Sequence, residues 1–94
     1  MNRSELSKAL AEGKVALQAK GVPHLALFGS YARNEQTERS DVDILVEVDA
    51  AIGLGFVTLA EELERHLHER VDLLSSRAVK PNRRRLIEAD LIYV

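Results

Sequence analysis

The sequence has no cysteine and no tryptophan among its 94 residues, and only two phenylalanines, two tyrosines and two prolines. Without cysteine there is no disulfide staple, no thiolate metal site and no cysteine nucleophile, and the composition fits a reducing compartment. So few aromatic rings leave little from which to build base-stacking platforms, so direct nucleic-acid binding is not expected. Neither sign of charge dominates. Thirteen Lys and Arg face fifteen Asp and Glu, a formal charge of -2, unlike the strongly basic footprint of a nucleic-acid binder. No apolar run approaches the roughly 18 residues of a membrane span, and Met1 to Leu10 carries charges where a signal peptide would be apolar. These absences read as a cytoplasmic chain with no membrane segment.

What is present is an ordinary globular composition, 46% hydrophobic and 30% charged. A chain of this length buries roughly 60 to 65% of its unfolded surface, enough for one core. The expectation is a single domain spanning 1–94, with no room for a separate substrate-binding domain.

Leu6, Leu10, Gly13 and Leu17 share one helical stripe, Asn2 and Glu5 are spaced as a capping box, and Gly21-Val22-Pro23 closes the segment, which predicts a first helix over 3–19. His24 to Phe28 is a short apolar run ending at Gly29-Ser30, the pattern of a buried strand feeding a tight turn. Asn34 to Ser40 is a polar loop. Asp41 to Asp49 alternates strictly, with Val42, Ile44, Val46 and Val48 on one face. Gly53 and Gly55 punctuate the next connection, after which Phe56, Leu59, Ala60, Leu63 and Leu67 recur at helical spacing to about Glu69. Val71 to Leu74 predicts another strand, Pro81 to Glu88 a basic helix entered through proline, and Leu91 to Val94 a last strand. The predicted fold class is α/β (α+β), a small mixed sheet flanked by helices.

On the Asp41 strand, side chains two apart share a face, so Asp41 and Asp43 project together and repel. A bridging cation is a natural compensation, with Mg²⁺ the hard, oxygen-seeking candidate; the alternative is a wet strand face that simply carries acids. Asp72 lies within Arg70-Val71-Asp72-Leu73-Leu74, where the alternative to a site is an ion pair with Arg33 or Arg70. If its strand lies beside the first, three carboxylates meet, enough for metal-assisted chemistry with one acid as general base. Gly29 allows backbone N–H groups to approach a ligand, and the Ser30 hydroxyl with the turn from Tyr31 to Arg33 could cradle a triphosphate.

GSYAR, a polar gap, then SDVDILV and later VDLL resemble the nucleotidyltransferases of the DNA polymerase beta superfamily, and most of all their minimal group, often called MNT proteins. The likeness runs from about Leu25 to Asp72. It implies the nucleotidyltransferase fold, nucleotide held by Gly29 and Ser30 with Ser40 beside them, and Asp41, Asp43 and Asp72 as catalytic Mg²⁺ ligands. Many relatives have glycine where this chain has Asn34, and asparagine tolerates the left-handed backbone that glycine would supply. The likeness further implies AMP transfer from ATP to a partner protein, a HEPN-type RNase toxin for which the chain is the antitoxin. A binding module that neutralises its partner by contact alone is the alternative.

Weaker signals read as structural. Lys80, Arg83, Arg84 and Arg85 read as a solvated helix face, the alternative being to steer a triphosphate or an RNA end; His66 and His68 are surface residues too far around the helix to share a metal; and Tyr31 reads as packing beneath the turn, the alternative being its ring and hydroxyl offered to the nucleotide. Arg33 matches the family's motif arginine, for which a salt bridge that fixes the loop and a contact with phosphate are the two readings.

Overall fold

The computed structural model describes residues 1–48 and 55–94. Its elements run α1 (Arg3–Glu12), α2 (Lys14–Ala19), β1 (His24–Phe28), α3 (Gly29–Ala32), β2 (Val42–Glu47), α4 (Gly55–Leu67), β3 (Val71–Ser75), a 3₁₀ turn (Ser76–Ala78), α5 (Pro81–Glu88) and β4 (Ile92–Tyr93). The strands form one mixed sheet in the order β3-β2-β1-β4. β1 is antiparallel to both β2 and β4, while β2 and β3 are parallel. A parallel pair needs a crossover, and α4 lies within that connection.

The predicted capping box closes: Asn2 accepts from the Glu5 N–H at 2.8 Å and the Glu5 side chain reaches back to the Asn2 N–H. The single helix expected over 3–19 is instead two. Gly13, a poor helix former, donates to Leu10 O at 3.2 Å, a tightened last turn that ends α1 before α2 begins. α2 stops at Gly21, which has φ +95°, and the Val22 N–H returns to Leu17 O at 3.0 Å as in a Schellman cap. Gly55, read as part of a connection, is the first residue of α4; Gly53 and Asp49 lie outside the described residues.

Alternation along β2 buries Val42, Ile44 and Val46 at 0–1% exposure, each worth about 1.5–3 kcal/mol of burial. They pack with Leu6, Leu10 and Leu17 of α1 and α2 and Leu59, Leu63 and Leu67 of α4. The opposite face carries Asp43, Leu45 and Glu47. There α5 lies over the sheet, its Arg84 and Glu88 lining a small cavity with Ala26, Leu45 and Tyr93. No helix among the described residues is long and apolar enough to cross a membrane.

Candidate active site

Phe28 is paired with Asp43 across β1 and β2, and Asp43 with Asp72 across β2 and β3. Paired residues of neighbouring strands project to one face, about 4.8 Å apart in the hydrogen-bonding direction. Because Val42 and Ile44 point into the core, Asp43 points out of the other face and Asp72 stands beside it. Asp43 is half-buried, whereas Asp72, on the edge strand, is exposed. Burial, then the Asp72 carboxylate by charge and hydrogen bonding, then Asp41, push the Asp43 carboxyl from its ordinary 3.8 up to about 6, against a lowering pull from Arg33.

Asp41 is placed differently from the expectation. β2 begins one residue later, and Asp41 Oδ1 lies 3.2 Å from Arg70 Nε, so the carboxylate is held in an ion pair at the strand's entrance. Arg70 Nη2 also donates to Arg39 O at 2.9 Å. Among the described residues no group of three His, Cys, Asp or Glu side chains is arranged to hold a metal ion as it stands. Asp72 makes no salt bridge among the described residues: of the two partners considered for it, Arg70 is with Asp41, and Arg33 is bonded to Asp90 at 2.7 Å and Glu35 at 3.1 Å.

Gly29 opens α3 with φ +73°, a backbone that side chains rarely adopt. A Cβ there would sit 2.1 Å from Asp43 Oδ2, so glycine is required twice, by the turn and by the carboxylate packed against it. Phe28 is extended and gives α3 no side-chain cap. The first N–H groups of a helix have no intrahelical partners, and here they belong to the Gly29–Ser30 turn beside Asp43. Tyr31 is 3% exposed, and burial followed by the Glu69 charge raises its phenol above the ordinary value, in keeping with a packing role. Asn34 takes φ +61°, so the left-handed turn is kept without glycine. Of the two readings of Arg33, the salt bridge is the one seen; the Asp90 hydrogen bond first, then Glu35, hold it more firmly cationic.

Ser40 Oγ accepts from the Thr37 N–H at 2.9 Å, and the Ser40 N–H donates to Thr37 O at 3.0 Å, which closes the turn leading to Asp41. Of the basic run, Lys80, Arg83 and Arg85 are exposed, while Arg84 is partly buried against Ser76 O. His66, though exposed, binds Ala9 O at 3.0 Å and ties α4 to α1. A cavity of about 550 Å³ beside the Asp41 ion pair is lined by Ser40 and Arg70 with residues of the α4 end. Two contacts had no legible signal in the sequence: Asp90 as the partner of Arg33, and Glu64, whose carboxylate caps the Val71 N–H at 3.1 Å.

Comparison with known proteins identifies the family and the fold. Residues 13–93 match the family described as polymerase beta, nucleotidyltransferase. A Methanocaldococcus jannaschii protein described as a candidate protein adenylyltransferase is 45% identical over 96 aligned positions, covering 97% of this chain and 96% of its own. Protein adenylyltransferase MntA of Thermococcus cleftensis is 37% identical over 92, covering 96% and 93%. A solved structure of a candidate minimal nucleotidyltransferase superposes with a TM-score of 0.82 at 34% identity, over 98% of this chain and 95% of that one. A crystal structure of a toxin-antitoxin with AMP-PNP gives 0.70 at 25% identity, over 99% and 72%. The chain belongs to the polymerase beta nucleotidyltransferase family, among its minimal nucleotidyltransferases.

Proposed function

We propose that this chain transfers AMP from ATP to a hydroxyl of a partner protein, a HEPN-type RNase toxin, and so acts as its antitoxin. The observation that carries the chemistry is the registered Asp43–Asp72 pair set against the Gly29–Ser30 turn. Support for the acceptor class comes from the relatives named protein adenylyltransferases and from the toxin-antitoxin structure holding AMP-PNP.

In this reading the N–H groups of the Gly29–Ser30 turn and the Ser30 hydroxyl bind the triphosphate. Ser40 contributes at the edge of the nucleotide site by holding the turn that delivers Asp41. The donor chemistry fits Mg²⁺: the acids are all oxygen ligands, and Asp43, raised first by burial, also stands against the like charges of Asp72 and Asp41, which a dication would relieve. Asp43 and Asp72, with Asp41, would hold it, and when bound it supplies neutralisation of charge on the phosphates. Asp72, exposed on the edge strand, faces an incoming acceptor and takes the proton of its hydroxyl. The hydroxyl oxygen bonds to the α-phosphorus, the bond to the β-phosphate bridge breaks, and pyrophosphate leaves.

The test incubates the protein with α-labelled ATP, Mg²⁺ and the HEPN-type partner, with an Asp41→Asn, Asp43→Asn double variant as control. Label on the partner that disappears with the double variant is the expected result. An unlabelled but stable complex would refute transfer and support neutralisation by contact.

A further inference from the structure

We propose that Arg70 is a displaceable counter-ion for Asp41, a positioning residue that occupies this carboxylate until a divalent cation takes its place. The inference rests on the reading above that the acids hold such an ion. Three contacts join Arg70 to the segment entering β2, and they divide into a fixed part and a movable part. The fixed part is backbone: Val42 N donates to Arg70 O at 2.8 Å, which locks the start of β2 to the start of β3 and so maintains the Asp43–Asp72 register. The movable part is the guanidinium, with Nε 3.2 Å from Asp41 Oδ1 and Nη2 bonded to Arg39 O at 2.9 Å.

Three features make the side chain displaceable. Its exposure is 69% and that of Asp41 is 50%, so the pair stands in water, where ion pairs are weak. Arg70 lines the open cavity of about 550 Å³, which leaves its exposed side chain room to swing away without repacking. Glu38, Glu61, Glu64 and Glu69 line that cavity against one other arginine, Arg65, so the displaced cation stays in a net acidic surround. Without a metal, Arg70 offsets the repulsion that Asp41 adds to Asp43. With one, the guanidinium and the dication repel each other across the same carboxylate, so Arg70 weakens cation binding and returns when the ion leaves.

The test titrates Mn²⁺ alone into the nucleotide-free full chain, following the free ion by electron paramagnetic resonance, for the wild type, Arg70→Gln and Asp43→Asn. Removal of the guanidinium is expected to tighten Mn²⁺ binding about threefold at low salt, a gap that closes toward unity at ~0.5 M KCl as the charges are screened. Thermal unfolding of Arg70→Gln should stay close to wild type, since the backbone bond of residue 70 is retained. Binding of Mn²⁺ by Arg70→Gln that equals or falls below wild type overturns the proposal. Wild type and Asp43→Asn binding Mn²⁺ alike would instead overturn the reading of the acids as an ion site.

Discussion

Replacing Asp43 by asparagine is expected to stabilise the metal-free protein at pH 8 while abolishing AMP transfer. The Asp43 carboxyl titrates at about 6 in the folded chain against 3.8 ordinarily, so the fold holds this proton more tightly than the unfolded chain does. Its contribution to stability is therefore whole below about 3.8 and is lost as pH rises through about 6. At about 1.4 kcal/mol per pK unit the full shift corresponds to roughly 3 kcal/mol, and because Asp43 is only half-buried, solvent screening reduces this to about 1–2 kcal/mol. For a domain of this size that is roughly 5–10 °C in melting temperature.

The assay is thermal unfolding of wild type and Asp43→Asn in EDTA at pH 4 and pH 8. Asparagine mimics the protonated acid in shape, so the two proteins should unfold together at the lower pH and separate at the higher, the variant being the more stable. Titration of groups that do not interact with Asp43 cancels in the difference, which leaves Asp43 with its coupled neighbours Asp72 and Asp41. Equal melting at pH 8, or a gap of the same size at both pH values, would refute the argument that burial and the neighbouring acids disfavour the Asp43 carboxylate. Adding Mg²⁺ at pH 8 should then raise the wild type and leave the variant unmoved.

Gly29→Ala should cost about 1–3 kcal/mol in thermal unfolding, because the added Cβ meets Asp43 Oδ2 at 2.1 Å on a backbone with φ +73°. It should also lose transfer activity; a variant as stable and active as wild type would show that the turn relaxes freely. At Asn34, with φ +61°, glycine should fall within about 0.5 kcal/mol of wild type while valine costs about 1–2 kcal/mol, both read by urea unfolding.

Local chemistry made most of the fold legible. The capping box at Asn2 and Glu5, the proline entry at Pro81 and the alternation of Val42, Ile44 and Val46 each depend on residues a few positions apart, and all three appear as read. Gly13 marks where such reading fails. The apolar stripe is continuous through it, and only the backbone decides that the hydrogen-bonding pattern tightens there and starts a second helix. The site divides in the same way. Gly29 and the acids were visible as residue types at a spacing, but the partner of Asp41 was not. Arg70 lies 29 positions later in the chain, two residues before Asp72, and sequence distance favoured pairing it with Asp72. Strand alternation turns Asp72 onto the acid face, while the parallel register brings Arg70 to the entrance of β2, level with Asp41.

The same register accounts for how so short a chain can carry the site. β2 has an antiparallel neighbour on one side and a parallel one on the other. The antiparallel pairing puts the end of β1, and with it the Gly29–Ser30 turn, next to Asp43; the parallel pairing puts Asp72 on its other side. One residue of β2 thus stands a single strand spacing from both the proposed phosphate cradle and the proposed base. Shifting either pairing by one residue would turn an acid into the core, where Val42 and Ile44 are fully buried, so the hydrophobic pattern that folds β2 also holds the site in register. Nothing in this arrangement requires a second domain to assemble the chemistry. On the proposed function, the partner protein aligns its own acceptor hydroxyl over the exposed Asp72.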